Sequence, residues 1–211
     1  MLGMLKRDLT LIISDKRNRL FFLLYIPFLL FVVESYDPQW PYFIILYTYT
    51  YLMAITPFSY DVTNKTSYMI HSLPISRKEM VLYKYLLTFA YLLITIVYAG
   101  VYLWIINILG IVNVDYFNLE MIKTVIPVIL MSTSIIYPAY FRFEPKIAQI
   151  MHMIIFMTFF IIMVNVANLG EKSLISYINL PTISKYIIPI SILLYLLSLL
   201  LAMKLYEVRD L

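Results

Sequence analysis

The sequence lacks cysteine and has little histidine or glycine, and each shortage excludes a class of chemistry. Without cysteine there are no disulfide bonds and no thiolate nucleophile or metal ligand. The two histidines, His71 and His152, are too few for a histidine-based metal cluster. The four glycines are scattered and form no Walker A pattern, so any ATP must be bound by a partner chain. We therefore expect no catalytic centre, metal or cofactor in this chain itself.

Charged residues are also scarce: they make up 13% of the 211 residues, while 63% are hydrophobic. A soluble domain has about 25% charged and about 45–50% apolar residues. A chain of this length has too small an interior to bury so much apolar surface, so lipid must supply part of the solvent. Lys6, Arg7 and Asp8 come too early for a cleavable signal peptide. The sequence therefore predicts an integral membrane protein.

Six apolar segments are candidates to cross a bilayer, which takes about 20 mainly apolar residues in a helix. The first is the shortest, between Arg19 and Glu34, and flanking residues can extend it past these charges. The predicted fold is an all-α membrane protein with one transmembrane domain over residues 1–211. The predicted spans are residues 20–36, 41–60, 85–109, 124–141, 147–169 and 186–203.

Lysine and arginine are distributed unevenly between the two sides of these spans. One side holds 13 of the 16 basic residues, namely Lys6, Arg7, Lys16, Arg17, Arg19, Lys65, Arg77, Lys78, Lys84, Arg142, Lys146, Lys204 and Arg209. The other side holds only Lys123, Lys172 and Lys185. Because cytoplasmic loops are rich in lysine and arginine, both termini are predicted to lie in the cytoplasm, with the chain in the cell membrane. The net charge of +4 thus indicates orientation and not nucleic-acid binding.

Residues 1–19 are too polar to span the membrane. Their apolar residues recur at helical spacing, namely Leu2, Leu5, Leu9, Ile12 and Ile13. Lys6, Arg7, Thr10 and Ser14 lie elsewhere on the same helix. The pattern predicts an amphipathic helix on the inner membrane surface. Such a helix could be a simple anchor or could have a mechanical role, and the sequence leaves both open.

The longest stretch between predicted spans is residues 61–84. Asp61 or Thr63 can cap a short helix, which ends before a proline. Ser76 and Glu79 then form a capping box that starts a new helix, and this helix continues into the third predicted span. A short helix held between two spans would act as a lever, because a push on it moves both spans. The alternative is an ordinary connector.

The run SYMIHSLPISRKE over residues 67–79, followed by a KY pair, resembles the SLPISRKE…KY signature of small bacterial ABC-2-type transporter permeases. The resemblance covers the whole chain in length, topology and loop order. It implies that residues 61–84 contain a coupling helix, which docks on a separate ATPase subunit that binds ATP and Mg²⁺. Asp61 matches the acidic residue that the family usually has just after the second span.

The coupling-helix interpretation assigns side chains to the ATPase contact. Tyr68, Met69 and His71 are expected in the docking groove, and Arg77 and Lys78 at its rim, because aromatic and methionine side chains favour the buried centre of an interface. Within the family, the chain most resembles the permeases of staphylococcal exporters of phenol-soluble modulins, which are amphipathic helical peptides. The resemblance thus implies an amphipathic cargo.

The predicted spans carry few groups that suit chemistry. Every Asp and Glu lies outside the apolar runs or at their edges, so the buried carboxylates typical of proton coupling are absent, as are the residue pairs of an intramembrane protease. Tyr47, Tyr49 and Tyr51 of the second span either line a substrate cleft or pack against other helices, and both interpretations stay open. His152 is expected near the membrane interface.

These expectations combine into one function and one alternative. The function is the permease subunit of an ATP-driven exporter of hydrophobic or amphipathic molecules, such as phenol-soluble modulins. The expected assembly is a homodimer, or a heterodimer with a second permease, bound to two cytoplasmic ATPase subunits. The alternative is a membrane protein that gives immunity by sequestering a toxic peptide without transport. Purification with or without an attached ATPase would distinguish the two.

Overall fold

A computed structural model describes residues 2–33, 38–63, 75–169 and 180–208 of the chain. Within these ranges the chain forms seven α-helices and no strand, which confirms the predicted all-α fold. The helices are α1 (Leu2–Ser14), α2 (Lys16–Val32), α3 (Gln39–Thr63), α4 (Arg77–Ile108), α5 (Leu119–Arg142), α6 (Pro145–Leu169) and α7 (Leu180–Glu207).

Side-chain and glycine caps set the ends of two long helices. Ser76 Oγ accepts a hydrogen bond from the Glu79 backbone N–H at 3.2 Å, and Glu79 Oε2 accepts one from the Ser76 N–H at 2.9 Å. This confirms the predicted capping box at the start of α4. Asn118 Oδ1 caps α5 by accepting from the Glu120 N–H at 2.9 Å. Beyond α4, Gly110 has a φ of 67°, a left-handed conformation that glycine adopts without strain.

Pro27 interrupts the backbone hydrogen bonding of α2, and a tyrosine from another helix compensates for it. Because proline has no N–H, the carbonyl of Leu23 loses its usual partner four residues on. Tyr102 of α4 donates its hydroxyl to this carbonyl at 3.0 Å. Proline is tolerated in membrane helices when a neighbouring group satisfies the freed carbonyl in this way.

Four helices are long and apolar enough to cross a membrane, over Arg77–Ile108, Leu119–Arg142, Lys146–Ala167 and Tyr186–Glu207. The described part of α2 contributes a shorter apolar helix, Asn18–Val32. The α3 helix has 25 residues, carries many tyrosines and threonines, and is not among these four. These helices support a multi-pass membrane protein, while the count of six spans stays a prediction.

The α3 helix forms the centre of the bundle and packs against α1, α2, α4, α5 and α6. Every residue from Pro41 to Tyr51 is buried. The outer helices instead expose large apolar side chains: Leu93 of α4 is 65% exposed, Met153 of α6 is 64% exposed and Leu200 of α7 is 63% exposed. Apolar surface of this extent on a bundle is suited to contact with lipid.

The ends of α3, α5 and α7 and the start of α4 lie at one end of the bundle. There the Phe141 ring centroid is 5.4 Å from that of Phe58 and 5.0 Å from that of Tyr206. At the opposite end, the Asp115 N–H donates to the Pro38 carbonyl at 3.2 Å. The end that holds Phe58, Phe141 and Tyr206 is termed the charged end below. The prediction that it faces the cytoplasm rests on the distribution of lysine and arginine.

The N-terminal segment differs from its prediction in two respects. It is helical, but α1 ends at Ser14 and α2 already begins at Lys16, before the predicted start of the first span. Ile13, predicted on the apolar face, is 57% exposed, whereas Asp8 is fully buried together with Ile12 one turn further on. The buried face of α1 therefore carries a charge. The closest partner of that charge is Lys84 of α4.

Candidate functional site

Four charged side chains meet at the charged end, where α1, α3 and α4 come together. Lys84 Nζ of α4 lies 2.7 Å from Asp8 Oδ2 and 3.8 Å from Asp61 Oδ2. Arg7 forms an ion pair with Asp61, and its Nη1 lies 3.5 Å from Asp8 Oδ1. Arg7, Asp8, Asp61 and Lys84 are termed the ion cluster. Two cations and two anions leave the cluster with no formal net charge.

The Lys84–Asp8 pair of the ion cluster is shielded from solvent and supported by aromatic side chains. The side chains of Lys84 and Asp8 are 3% and 0% exposed. Tyr91 OH donates to Asp8 Oδ2 at 3.4 Å, and Lys84 Nζ lies 4.9 Å from the centroid of the Phe58 ring, in reach of a cation–π contact. A buried charge is costly unless it is paired, so each of these groups depends on the others.

The cluster connects three parts of the chain that are distant in sequence. Arg7 and Asp8 lie on α1, Asp61 lies in the last turn of α3, and Lys84 lies two turns into α4. Because α3 and α4 flank residues 64–74, the cluster ties α1 to both sides of that segment. In the part of the chain that the structure describes, no group of three or more potential metal-ligating side chains is close enough to hold a metal ion. The geometry suits a set of ion pairs that hold α1, α3 and α4 together.

Of the residues predicted to contact the ATPase, Asp61 has a different structural position from the one expected. It is not the N-cap of a separate helix, because α3 continues through Thr63 and includes it. Inside α3 its carboxylate points toward α1 and α4, where Arg7 and Lys84 neutralise it. Tyr68, Met69 and His71 fall outside the described residues.

Arg77 and Lys78, the other two predicted contact residues, both touch the end of α7. Arg77 Nη1 donates to the Glu207 carbonyl at 2.9 Å and to the Tyr206 carbonyl at 3.3 Å. Lys78 Nζ lies 3.1 Å from Glu207 Oε1. A cation at the last carbonyls of a helix satisfies them and favours the negative end of the helix dipole. The start of α4 is thereby joined to the end of α7, a link that the sequence analysis did not anticipate.

The three tyrosines of the predicted substrate cleft are fully buried and point to two sides of α3. Tyr49 faces α2, where its hydroxyl donates to the Phe22 carbonyl. Tyr47 and Tyr51 face α6: the Tyr47 ring stacks on Phe159 at 6.0 Å. The Tyr51 ring stacks on His152 at 5.4 Å, and Tyr51 OH is 3.2 Å from His152 Nδ1. The structure thus brings Tyr47 and Tyr51 together and separates Tyr49 from them.

The sequence analysis missed Arg7, Asp8 and Lys84 as site residues, although a signal for Asp8 and Lys84 was present. Asp8 follows Leu5 by three residues and precedes Ile12 by four, so it shares their helix face. A lone carboxylate on an apolar face predicts a buried cation opposite. Lys84 is the last charge before the uncharged run that begins at Tyr85, which makes it the natural candidate.

The comparison with protein families decides the general identity of the chain. The sequence model of a family described as ABC-2 family transporter protein matches residues 3–207. The chain belongs to the ABC-2 transporter family. As an ABC-2 permease it is the membrane component of an ABC transporter, and its partner is an ABC ATPase. Permeases of this family are generally not catalytic themselves. Neither the search of curated proteins nor the search of solved structures gives a match.

Proposed function

We propose that this ABC-2 permease exports amphipathic peptides of the phenol-soluble modulin kind, driven by a cytoplasmic ATPase that docks on residues 64–74. The observation that carries the coupling part is the ion cluster. Lys84 and Asp61 stand on the two helices that flank residues 64–74, and Asp8 and Arg7 join both to α1. A displacement of this segment by the ATPase therefore reaches three helices.

The proposed mechanism uses ATP binding to shift the balance between two arrangements of the helices. Closure of the ATPase pair pushes on residues 64–74, and α3 and α4 move with the segment. Because Lys84 bonds to Asp8, and Arg7 to Asp61, α1 follows that motion as one body. A ligand or partner shifts such an equilibrium only by its difference in affinity for the two arrangements. The ion cluster keeps α1, α3 and α4 in the same relative positions as they move.

The cargo assignment is supported by the polarity of the described interior. Asp8 is the one fully buried carboxylate among the described residues, and it is paired with Lys84. It lies at the charged end and not in the middle of a predicted span. A proton-driven transporter would carry ionisable groups along its path, whereas an interior of aromatic and aliphatic side chains suits apolar or amphipathic molecules. This composition agrees with energy supplied by a separate ATPase.

The proposed assembly is a homodimer, with a heterodimer with a second permease as the other arrangement. The outer face of α6 exposes Met153, Ile154, Met157 and Ile161 in a single copy. A second permease that packs on this face would cover apolar surface that otherwise faces lipid.

The proposed function is tested by reconstituting the full chain with the ATPase that co-purifies with it. The chain alone should hydrolyse no ATP, because it has no Walker A pattern. The complex should hydrolyse ATP, and a synthetic amphipathic helical peptide should stimulate it. Hydrolysis by the chain alone would contradict the proposal. If no ATPase co-purifies and the chain still protects cells against a toxic peptide, the immunity alternative is correct.

A further inference from the structure

A cavity of about 320 Å³ lies near the charged end between α2, α3 and α6. Its described lining consists of Asn18, Leu52, Ile55, Thr56, Ser59, Tyr60 and His152. The five residues from α3 recur at intervals of three and four, so they form one face of that helix. The volume is at the lower end of the range for ligand pockets, which is about 300–1,000 Å³. The cavity can therefore hold a small molecule or part of a larger one.

The cavity exists because the packing around α3 changes along its length. The residues from Pro41 to Tyr51 are buried on all sides, whereas Leu52, Thr56 and Ser59 are only half-buried. Helices α2 and α6 both pack on α3 but make little contact with each other. The half-buried face of α3 is thus left open between them at the charged end.

The polar wall of the cavity is built from neutral hydrogen-bonding groups. Asn18 Nδ2 donates to Tyr60 OH at 2.8 Å, and Tyr60 OH donates to Asp15 Oδ2 at 2.9 Å. His152 lies seven residues from the first residue of α6, Pro145, which corresponds to about 10 Å along the helix. Its imidazole adds a further hydrogen-bonding group to this wall. Leu52 and Ile55 supply the apolar wall.

These groups favour a peptide over a phospholipid. None of the described lining residues is lysine or arginine, the side chains that bind phosphate headgroups. The carboxylate of Asp15 accepts the hydrogen bond from Tyr60 behind the polar wall, which favours a neutral or cationic guest. Hydroxyl, amide and imidazole groups opposite Leu52 and Ile55 match a helical peptide segment that has a polar and an apolar side.

A layer of stacked rings between α3 and α6 adjoins the cavity on the side away from the charged end. Tyr51 stacks on His152, a lining residue, and on Phe156 at 5.6 Å. Tyr47 continues the layer by stacking on Tyr51 at 5.7 Å and on Phe159 at 6.0 Å. Passage beyond the cavity therefore requires α6 to separate from α3.

We propose that this cavity is the entry site for the amphipathic peptide cargo, and that the ring layer above it separates the loaded cavity from the opposite end of the bundle. The inference rests on the proposed export function and adds to it the binding site and the class of molecule that binds there. It gives Tyr47 and Tyr51 a place above the entry site, and it makes His152 and Asn18 contact residues for the cargo.

The absence of cysteine allows a direct test by thiol protection. Thr56→Cys places a thiol in the cavity, and Thr10→Cys places one on the exposed face of α1. The two threonines are matched, because each bonds the carbonyl four residues before it, at 2.7 Å in both cases. The full chain in phosphatidylcholine nanodiscs is treated with a maleimide, with or without a synthetic amphipathic peptide of leucine and lysine. At a peptide concentration of about ten times Kd, the reaction at Thr56→Cys should slow about tenfold and that at Thr10→Cys should not change.

A second pair of variants tests the site by filling it. Thr56→Phe should occupy the cavity and weaken binding of the labelled peptide at least about tenfold, a loss typical of a blocked anchor site. Thr124→Phe is the matched control, since Thr124 makes the same kind of bond at 2.8 Å on the exposed side of α5, far from the cavity. It should bind the peptide as the parent chain does.

Three results would overturn the inference. One is an unchanged rate at Thr56→Cys with saturating peptide. Another is equal protection of Thr10→Cys, which would mean that the peptide only coats the surface. The third is equal protection of Thr56→Cys by anionic phosphatidylglycerol in the nanodisc, which would identify a lipid site. Loss of protection with normal ATPase co-purification contradicts the entry site alone, whereas failure of any ATPase to co-purify contradicts the export function.

Discussion

Lys84 Nζ and Asp8 Oδ2 lie 2.7 Å apart, although 76 residues separate them in the sequence. The pair fixes the N-terminal helix to the first turns of α4 at a point where neither group reaches water. Arg7 and Asp61 complete the balance of charge, so the cluster as a whole is neutral. The proposed coupling of α1 to the rest of the bundle depends on this contact.

Lys84→Met should destabilise the chain by about 3–5 kcal/mol, because it leaves the Asp8 carboxylate buried without its closest cation. Lys78→Met is the matched control: its side chain is 62% exposed and pairs with Glu207 at the surface. That change should cost less than about 1 kcal/mol. Chemical unfolding of both variants in the same detergent checks the difference. Equal losses of stability would show that the ion cluster contributes no more than a surface pair.

Removing both charges of the Lys84–Asp8 pair should distinguish its effect on stability from its effect on coupling. The double variant Asp8→Leu with Lys84→Met keeps the cluster neutral, since Arg7 and Asp61 still pair, and apolar groups of similar volume can replace a buried ion pair at little cost. We expect near-parental stability and normal ATPase co-purification, but reduced stimulation of ATP hydrolysis by peptide. Parental stimulation in the double variant would mean that the link between Asp8 of α1 and Lys84 of α4 takes no part in coupling.

The helices could be predicted from the sequence because their causes are local. Long apolar runs and the Ser76–Glu79 capping box each act within a few residues, and both agree with the structure. The boundary between α1 and α2 was harder, since both sides of Asp15 are helical and no glycine or proline separates them.

The candidate site was harder to predict than the helices because it depends on contacts between distant residues. Asp61 could be recognised as a residue of interest, but its partners on α1 and α4 follow only from the packing of three helices. The cavity beside His152 likewise depends on the gap that α2 and α6 leave between them where both pack on α3. Periodicity alone carries no information about that gap.

The orientation of the chain can be tested by cysteine labelling, because the parent sequence has no cysteine. Single cysteines at Asp37, Asn118 and Lys172 should react with an impermeant reagent added outside intact cells. Those at Lys65 and Arg142 should react only after the membrane is opened. The expectation follows from the excess of lysine and arginine on one side of the predicted spans. Labelling of Lys65→Cys from outside would reverse the orientation and place the proposed ATPase contact on the wrong side.

The segment between α3 and α4 should contain the anchor residues for the ATPase. Replacing Tyr68 and Met69 together by alanine should weaken ATPase binding by about 1–4 kcal/mol, the usual range for interface anchors. Membrane insertion should not change, because neither residue lies in a predicted span. Lys78→Ala should cost less, and its effect should shrink as salt is added, since a charge at the rim of an interface mainly tunes association.

For each variant, co-purification measures binding of the ATPase, and export of peptide from cells measures transport. The parent chain and the Thr124→Phe variant, altered on the exposed side of α5, are the references for binding and insertion. Loss of ATPase binding in the Tyr68 and Met69 variant, with normal insertion, is the expected result. If that variant binds the ATPase and exports peptide as the parent does, residues 64–74 are only a connector. The ATPase must then dock elsewhere on the charged end, and the part of the mechanism in which the ion cluster transmits its motion would be wrong.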